Sequence, residues 1–243
     1  MSAPGSGSPD ALGSEPPVAF ARAAGPVVFL DRDGVLNELV ADPAAGAAES
    51  PLRVADVALV QGAARAAGRL ADAGFRLACV TNQPAAAKGT VSLRQLLAVH
   101  ARVLELLDEQ GVLLAGCRLC LHHPAGVVSG LAGHCDCRKP APGMLLDLAA
   151  ELGADLQASW MVGDTDADIA AGRAAGCRTL LIRHPASAHK RRGAARPDLC
   201  AASLAEGVGA LIAAPPAQLE TPPRERATGD PAKPPQIDRS GGH

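Results

Sequence analysis

The sequence predicts an α/β protein, a Rossmann-like parallel sheet flanked by helices. Three observations lead there. Short apolar runs alternate with longer segments of helical spacing, and strands separated by helices pair in parallel through right-handed crossovers. Residues able to carry chemistry fall just after the apolar runs, where an open parallel sheet has its ligand crevice. The 243 residues suffice for one domain with a substantial core.

Residues 1–25 are rich in Gly, Ser, Pro and Ala and are expected to be disordered. The folded body is expected over 26–213. Val27 to Leu30 is a short buried strand, and Asp31, Asp33 and the turn-forming Gly34 follow it. Residues 38–60 read as irregular. Gln61 to Ala73 has Ala64, Ala67, Leu70 and Ala71 on one helical face, with Gly74 as its stop. Phe75 to Val80 is a second strand. Ser92 caps a helix to about Gln110 whose stripe is Leu96, Val99, Val103, Leu106 and Leu107. Arg118 to Leu121 is a third strand, followed by a Cys/His-rich loop to Lys139. Pro142 and Gly143 open a helix to about Leu152. Trp160 to Gly163 is a fourth strand, Ala167 to Ala175 a helix, and Arg178 to Ile182 a fifth strand. The basic run from Arg183 to Arg196, with His184, His189, Lys190, Arg191 and Arg192, reads as a solvated loop after the last strand, contact with a second phosphate being the alternative, and the Pro-rich residues 214–243 as a disordered tail.

Composition removes several functions. Aromatic residues make up only 2% and the net charge is −2, so there is neither a base-stacking platform nor a groove for a nucleic-acid backbone. No apolar run reaches the about 18 residues that span a bilayer, and the first residues lack a signal-peptide pattern. Seven cysteines, an odd number and unevenly spaced, argue for a reducing compartment. The expectation is a cytoplasmic monomer without nucleic-acid or membrane partners.

Asp31 and Asp33 at a strand end can hold a divalent cation, and one of them can attack an electrophile. Thr81, after Leu77-Ala78-Cys79-Val80, can hold a phosphate oxygen. Lys139 precedes a helix start, a place that favours an anion. Asp164 and Asp168 lie in Gly163-Asp164-Thr165-Asp166-Ala167-Asp168 after the fourth strand. A second constellation is Cys120, His122, Cys135 and Cys137. Three thiolates and an imidazole make a closed tetrahedral Zn²⁺ set, a structural rather than catalytic metal. His123 and His134 are alternative imidazoles.

The order Asp-x-Asp, Thr, Lys, Gly-Asp-x-x-x-Asp resembles the haloacid dehalogenase (HAD) superfamily of aspartate-nucleophile phosphatases, over about residues 26–185. The resemblance implies that Asp31 attacks phosphorus and becomes an aspartyl-phosphate. It makes Asp33 the acid that protonates the leaving alcohol and the base that then activates water. It assigns Mg²⁺ to Asp31, the Asp33 carbonyl and Asp164, the phosphoryl group to Thr81 and Lys139, and a supporting role to Asp168.

The zinc loop narrows the resemblance. Cys-x-His, a loop, then Cys135-Asp136-Cys137-Arg138-Lys139-Pro140-Ala141-Pro142-Gly143-Met144 is similar to D-glycero-D-manno-heptose 1,7-bisphosphate phosphatases and to the related histidinol-phosphate phosphatases. Asp31 to Asn37 and Thr81-Asn82-Gln83 fit the same group, and the distance from Asn37 to Thr81 leaves no room for a large cap domain. Two departures touch substrate recognition. Lys88 stands where the family has arginine, and the chain has no tyrosine to match the Gly-Tyr pair that the family often has after Asn37. The expected reaction is release of the carbon-7 phosphate, with histidinol phosphate or another small sugar phosphate as the alternative, ahead of an inactive binding module or a nucleic-acid end phosphatase. Arg138 and Lys88 are then the candidates for the second phosphate, and Asn82 and Gln83 for sugar hydroxyls.

Overall fold

The computed structural model describes residues 25–42, 46–193 and 195–214. The tails expected over 1–25 and 214–243 lie outside these residues, apart from Gly25 and Ala214. The strands are β1 (Val27–Leu30), β2 (Val40–Asp42), β3 (Ala47–Glu49), β4 (Arg76–Asn82), β5 (Gly116–Cys120), β6 (Trp160–Gly163), β7 (Arg178–Ile182) and β8 (Leu199–Ala201). The helices are α1 (Ala63–Asp72), α2 (Leu93–Asp108), α3 (Gly143–Leu152), α4 (Asp166–Ala174) and α5 (Leu204–Ala213).

Six strands form one sheet in the order β5-β4-β1-β6-β7-β8, and every neighbouring pair is parallel. The chain runs outward from β1 through β4 to β5, then returns across to β6. The direction reverses beside β1, so the crevice opens at the C-terminal ends of β1 and β6. Each of the four residues of β1 is fully buried. A central strand covered on both faces requires such an unbroken apolar run. Alternation divides the core in two. Val28 and Leu30 pack with Leu70, Leu107 and Val208 of α1, α2 and α5. Val27 and Phe29 pack with Leu145, Leu148 and Ala171 of α3 and α4.

The five expected strands and four expected helices are present, with bounds shifted by one or two residues. Ser92 caps α2 by accepting from the Gln95 N–H. Three stretches differ from expectation. Within 38–60, β2 and β3 pair antiparallel and Val54–Asp56 forms a 3-10 turn. Both strands have three residues, too short for any periodicity to register. Beyond Ile182 the sheet gains the edge strand β8 and then α5. Ser203 caps α5 through the Glu206 N–H, a Ser-x-x-Glu start that is legible in the sequence. The basic run is a solvated loop only in part, with Arg183, His189, Arg192 and Arg196 exposed. Pro185–Lys190 forms a 3-10 turn that packs on β3 with Ser187 buried, and Arg191 donates to the Asp164 and His184 carbonyls.

Candidate active site

Asp31 leaves the tip of β1 and its N–H donates to the Val162 carbonyl of β6, at 2.8 Å, which fixes it over the crevice. Asp164 follows β6 directly. Lys139 arrives from the zinc loop, and its ammonium donates to Asp31 Oδ1 at 2.8 Å and to the Val80 carbonyl at 2.7 Å. It also pairs with Asp168 at 2.6 Å. The Lys139 backbone is clamped by Asn82, whose amide donates to the Lys139 carbonyl and accepts from the Lys139 N–H. Lys139 is therefore an internal counter-ion of the carboxylates, more enclosed than a cation at a helix start.

Ligand atoms of Asp31, Asp164 and Asp168 all lie within 4.8 Å of one another, and the three residues are buried. One ammonium cannot compensate three buried carboxylates. Burial pushes the Asp31 pKa up to about 7, against the pull of Lys139 and with the repulsion of Asp168 and Asp33 added. Burial, then Asp31 and Asp168, push Asp164 up to about 8. Burial works against the Lys139 charge, yet Asp168 and Asp31 hold its pKa above the ordinary lysine range. A divalent cation fits this donor set, since it supplies the missing positive charge to hard oxygen ligands.

Asp33 has the opposite environment. Burial disfavours its charge, but Arg32 and hydrogen bonds from Asn37 and Ser50 outweigh burial and hold the carboxyl below its usual range. Arg32 donates through Nε and Nη2 at 2.9–3.1 Å, Asn37 at 3.0 Å, Ser50 Oγ at 2.9 Å and Gln83 Nε2 at 2.6 Å. Thr81 Oγ1 accepts from the same Gln83 amide at 2.9 Å. Asn82 and Gln83, expected to be free for sugar hydroxyls, are thus engaged with Lys139 and Asp33. Asp168 also bonds the Thr165 N–H and hydroxyl, closing the N-terminal turn of α4.

Next to this centre, Cys120, His122, Cys135 and Cys137 converge. Their sulfur atoms lie 3.6 Å (Cys120 to Cys135) and 3.2 Å (Cys135 to Cys137) apart. His122 Nδ1 is 3.4 Å from Cys137 and 3.9 Å from Cys120. A tetrahedral Zn²⁺ with about 2.3 Å bonds to sulfur requires donor separations of this order. The imidazole in the cluster is that of His122, whereas His123 Nδ1 accepts from the Ala125 N–H.

A cavity of about 360 Å³ opens over the crevice. It is lined by Asp31, Asp33, Thr81, Asn82, Lys139, Asp164 and Asp168, by Lys88 of the loop after β4 and Arg138 of the zinc loop, and by Leu39, Glu49 and Ser50 of the hairpin with Lys190.

A family model described as HAD-hydrolase-like matches residues 136–207. D-glycero-beta-D-manno-heptose-1,7-bisphosphate 7-phosphatase of Yersinia pestis is 35% identical over 181 residues, which are 74% of this chain and 92% of the relative. The chain belongs to the HAD-like phosphatases. D-glycero-D-manno-heptose-1,7-bisphosphate 7-phosphatase of Thermosynechococcus vestitus is 38% identical over 75% of this chain and 93% of its own length. The crystal structure of D,D-heptose 1,7-bisphosphate phosphatase from B. bronchiseptica, complexed with magnesium and phosphate, superposes with a TM-score of 0.64. It is 27% identical and covers 77% of this chain and 98% of its own.

Sequence reasoning missed several residues of this phosphatase site. Arg32 is completely buried yet holds Asp33, and its position between two acids gives it no role in the sequence pattern. Strand alternation, which sends residue 32 to the face opposite residue 31, was the available signal. Glu49 and Ser50 carry no local signal, and Lys190 and Arg191 show only as members of the basic run, because their relation to the site is set by how β3 and the 3-10 turn pack together. Gly34 has a tertiary reason as well as a turn. Its φ is +80°, and a Cβ there would lie 2.3 Å from Asp164 Oδ2. Gly34→Ala is expected to displace Asp164, with about 1–3 kcal/mol of backbone strain. Calorimetric titration should show divalent-cation affinity reduced at least about tenfold, and unchanged affinity would refute this role for the close approach.

No helix among the described residues is long and apolar enough to cross a membrane.

Proposed function

We propose that this phosphatase hydrolyses D-glycero-D-manno-heptose 1,7-bisphosphate at carbon 7 and leaves the 1-phosphate. The observation that carries the reading is the division of charge in one cavity. A carboxylate centre with a single lysine lines it, as do the cations Lys88 and Arg138. No ion pair to a carboxylate is made by either of these two cations among the described residues, although Arg138 donates to the His122 carbonyl. A substrate with a phosphate at each end meets a cation at each end. Two relatives named as 7-phosphatases of this bisphosphate support the assignment.

In this reading Asp31 attacks phosphorus in line and the P–O bond to the sugar breaks. Mg²⁺ held by Asp31, Asp164 and the Asp33 carbonyl would neutralise phosphoryl charge and orient the groups. Lys139 and Thr81 hold the phosphoryl oxygens, and Asp168 orients Lys139. Asp33, ionised beside Arg32, is the base that takes a proton from the water that hydrolyses the aspartyl-phosphate. To protonate the leaving oxygen in the first step it must turn from Arg32, and burial then favours its acid form. Gln83 spans Asp33 and Thr81, so it aligns the acid with the phosphate-binding hydroxyl. Zn²⁺ in the thiolate and imidazole set would be structural, as the set leaves no open position. Ligands that must be thiolates suit a reducing cytoplasm.

Comparison of kcat/KM on the heptose bisphosphate, histidinol phosphate and fructose 1,6-bisphosphate tests the substrate. The heptose bisphosphate should lead, and a preference for histidinol phosphate would overturn the assignment while leaving the phosphatase intact. Arg138→Ala should raise KM for the bisphosphate by about tenfold or more, because a charge-assisted contact contributes about 1.5–3 kcal/mol. KM for a monophosphate should change less. Equal changes for both would remove Arg138 from the second phosphate.

A further inference from the structure

Glu49 stands out among the acids that line the cavity. The others, Asp31, Asp33, Asp164 and Asp168, belong to the reaction centre and are buried there. Glu49 lies on the hairpin, where Lys190 Nζ meets its Oε2 at 2.7 Å and His189 Nε2 lies 3.6 Å from its Oε1. Both sides of the pair are anchored. Ser50, the next residue after Glu49, donates to Asp33 Oδ2 at 2.9 Å. Arg191, the next residue after Lys190, donates to the Asp164 carbonyl at 3.1 Å. The pair therefore bridges the two acid-bearing loops of the centre, and both of its members line the cavity.

We propose that Lys190 is a specificity-determining residue, masking the Glu49 carboxylate so that phosphate esters bearing an ammonium group are not retained. Paired, Glu49 and Lys190 are neutral in sum, in a cavity also lined by the cations Lys88 and Arg138. Unpaired, Glu49 would present a carboxylate within the cavity, and an ammonium group would find its counter-ion there. Neutral polyol phosphates need no such partner, so the pair separates sugar phosphates from amino-bearing phosphates of the same size. Specificity of this kind is a difference of affinities, and covering an attractive group against the wrong ligand is one way to achieve it. The inference deepens the reading of the cavity as a phosphomonoester site and rests on it. It concerns binding, so its test is separable from turnover.

The probes are glucosamine 6-phosphate and glucose 6-phosphate, which differ by an ammonium in place of a hydroxyl. Dissociation constants are measured by calorimetry with Mg²⁺ at about pH 6.5, where an amine is charged, in full-length protein carrying Asp31→Asn to prevent hydrolysis. The readout is the ratio of the two constants, which cancels effects common to both ligands. Lys190→Met keeps the aliphatic stem and removes the charge. It should shift the ratio toward the amine by about three- to tenfold, a modest factor because Lys190 and Glu49 are 28% and 41% exposed and their charges are screened. Adding Glu49→Gln should return the ratio to its starting value. A shift below threefold in the single variant, or one that survives by more than half in the double variant, overturns the proposal. The shift seen in the Asp31→Asn background, together with no hydrolysis of any phosphomonoester by protein with native Asp31, would keep this inference and sink the proposed function.

Discussion

Asp31→Asn should reduce kcat by about four orders of magnitude or more, as expected when a nucleophile that forms a covalent intermediate is removed. The same change should make the metal-free protein more stable, and this pairing of effects identifies a functional carboxylate. Asp31 and Asp164 have pKa values raised to about 7 and about 8, so between about pH 4 and those values the folded state binds more protons than the unfolded state. Stability from these groups is fully present below the ordinary carboxyl pKa and is lost as pH rises through the raised values. At pH 8 without metal, Asn at position 31 removes one buried charge, while Lys139 keeps Asp168 and the Val80 carbonyl. The gain should be about 1–3 kcal/mol, a rise in Tm of about 3–8 °C, and should shrink toward pH 5. Added Mg²⁺ should stabilise the native protein more at pH 8 than at pH 5, because ionised carboxylates bind it and protons are released. Turnover retained by Asp31→Asn, or a lower Tm at pH 8, would remove Asp31 from this role.

Cys137→Ser should lower bound zinc from about one to zero per chain and lower Tm by about 10 °C or more. The reason lies in the loop the tetrad closes. None of residues 121–138 is buried, and Val127 is 77% exposed, so no core of its own holds the segment. Backbone hydrogen bonds from Val127 and Val128 to the Ala87 carbonyl tie this loop to the one carrying Lys88, and Arg138 lies one residue beyond Cys137. Opening the cluster should therefore misplace Lys88, Arg138 and Lys139 together. kcat/KM should fall at least about tenfold, with the larger change in KM. Elemental analysis, thermal unfolding and steady-state kinetics read the three effects. Native protein that carries no zinc and is fully active would exclude the metal from this set.

The sheet was legible because its strands are short, apolar and buried on both faces. Val27–Leu30 and Trp160–Gly163 have no polar residue that could be turned to water, so composition alone placed them in the interior. The reaction centre was legible because a parallel sheet delivers its strand ends to one edge. Asp31 and Asp164 follow strands and Thr81 is the penultimate residue of β4, so they meet in space. The metal tetrad was legible for a related reason, since two short-spaced pairs of donors need only a loop closure to meet.

Tertiary structure alone decided the partners of those groups. Asn82 and Gln83 read as open to substrate, and in the structure their amides also hold the Lys139 backbone, Asp33 and Thr81, while Asn82 still lines the cavity. Local sequence shows which hydrogen-bonding groups exist, and only the packing of distant segments shows which pairs they form. Arg32 became the guanidinium that holds Asp33 ionised, because burial makes it pair with the nearest carboxylate. The basic run became part of the cavity wall because its 3-10 turn lies against β3, a contact between residues about 140 positions apart in the chain. The sequence determined the chemical groups of the site and the strand ends that carry them. The fold decided which charges are paired, and so which remain available to a substrate.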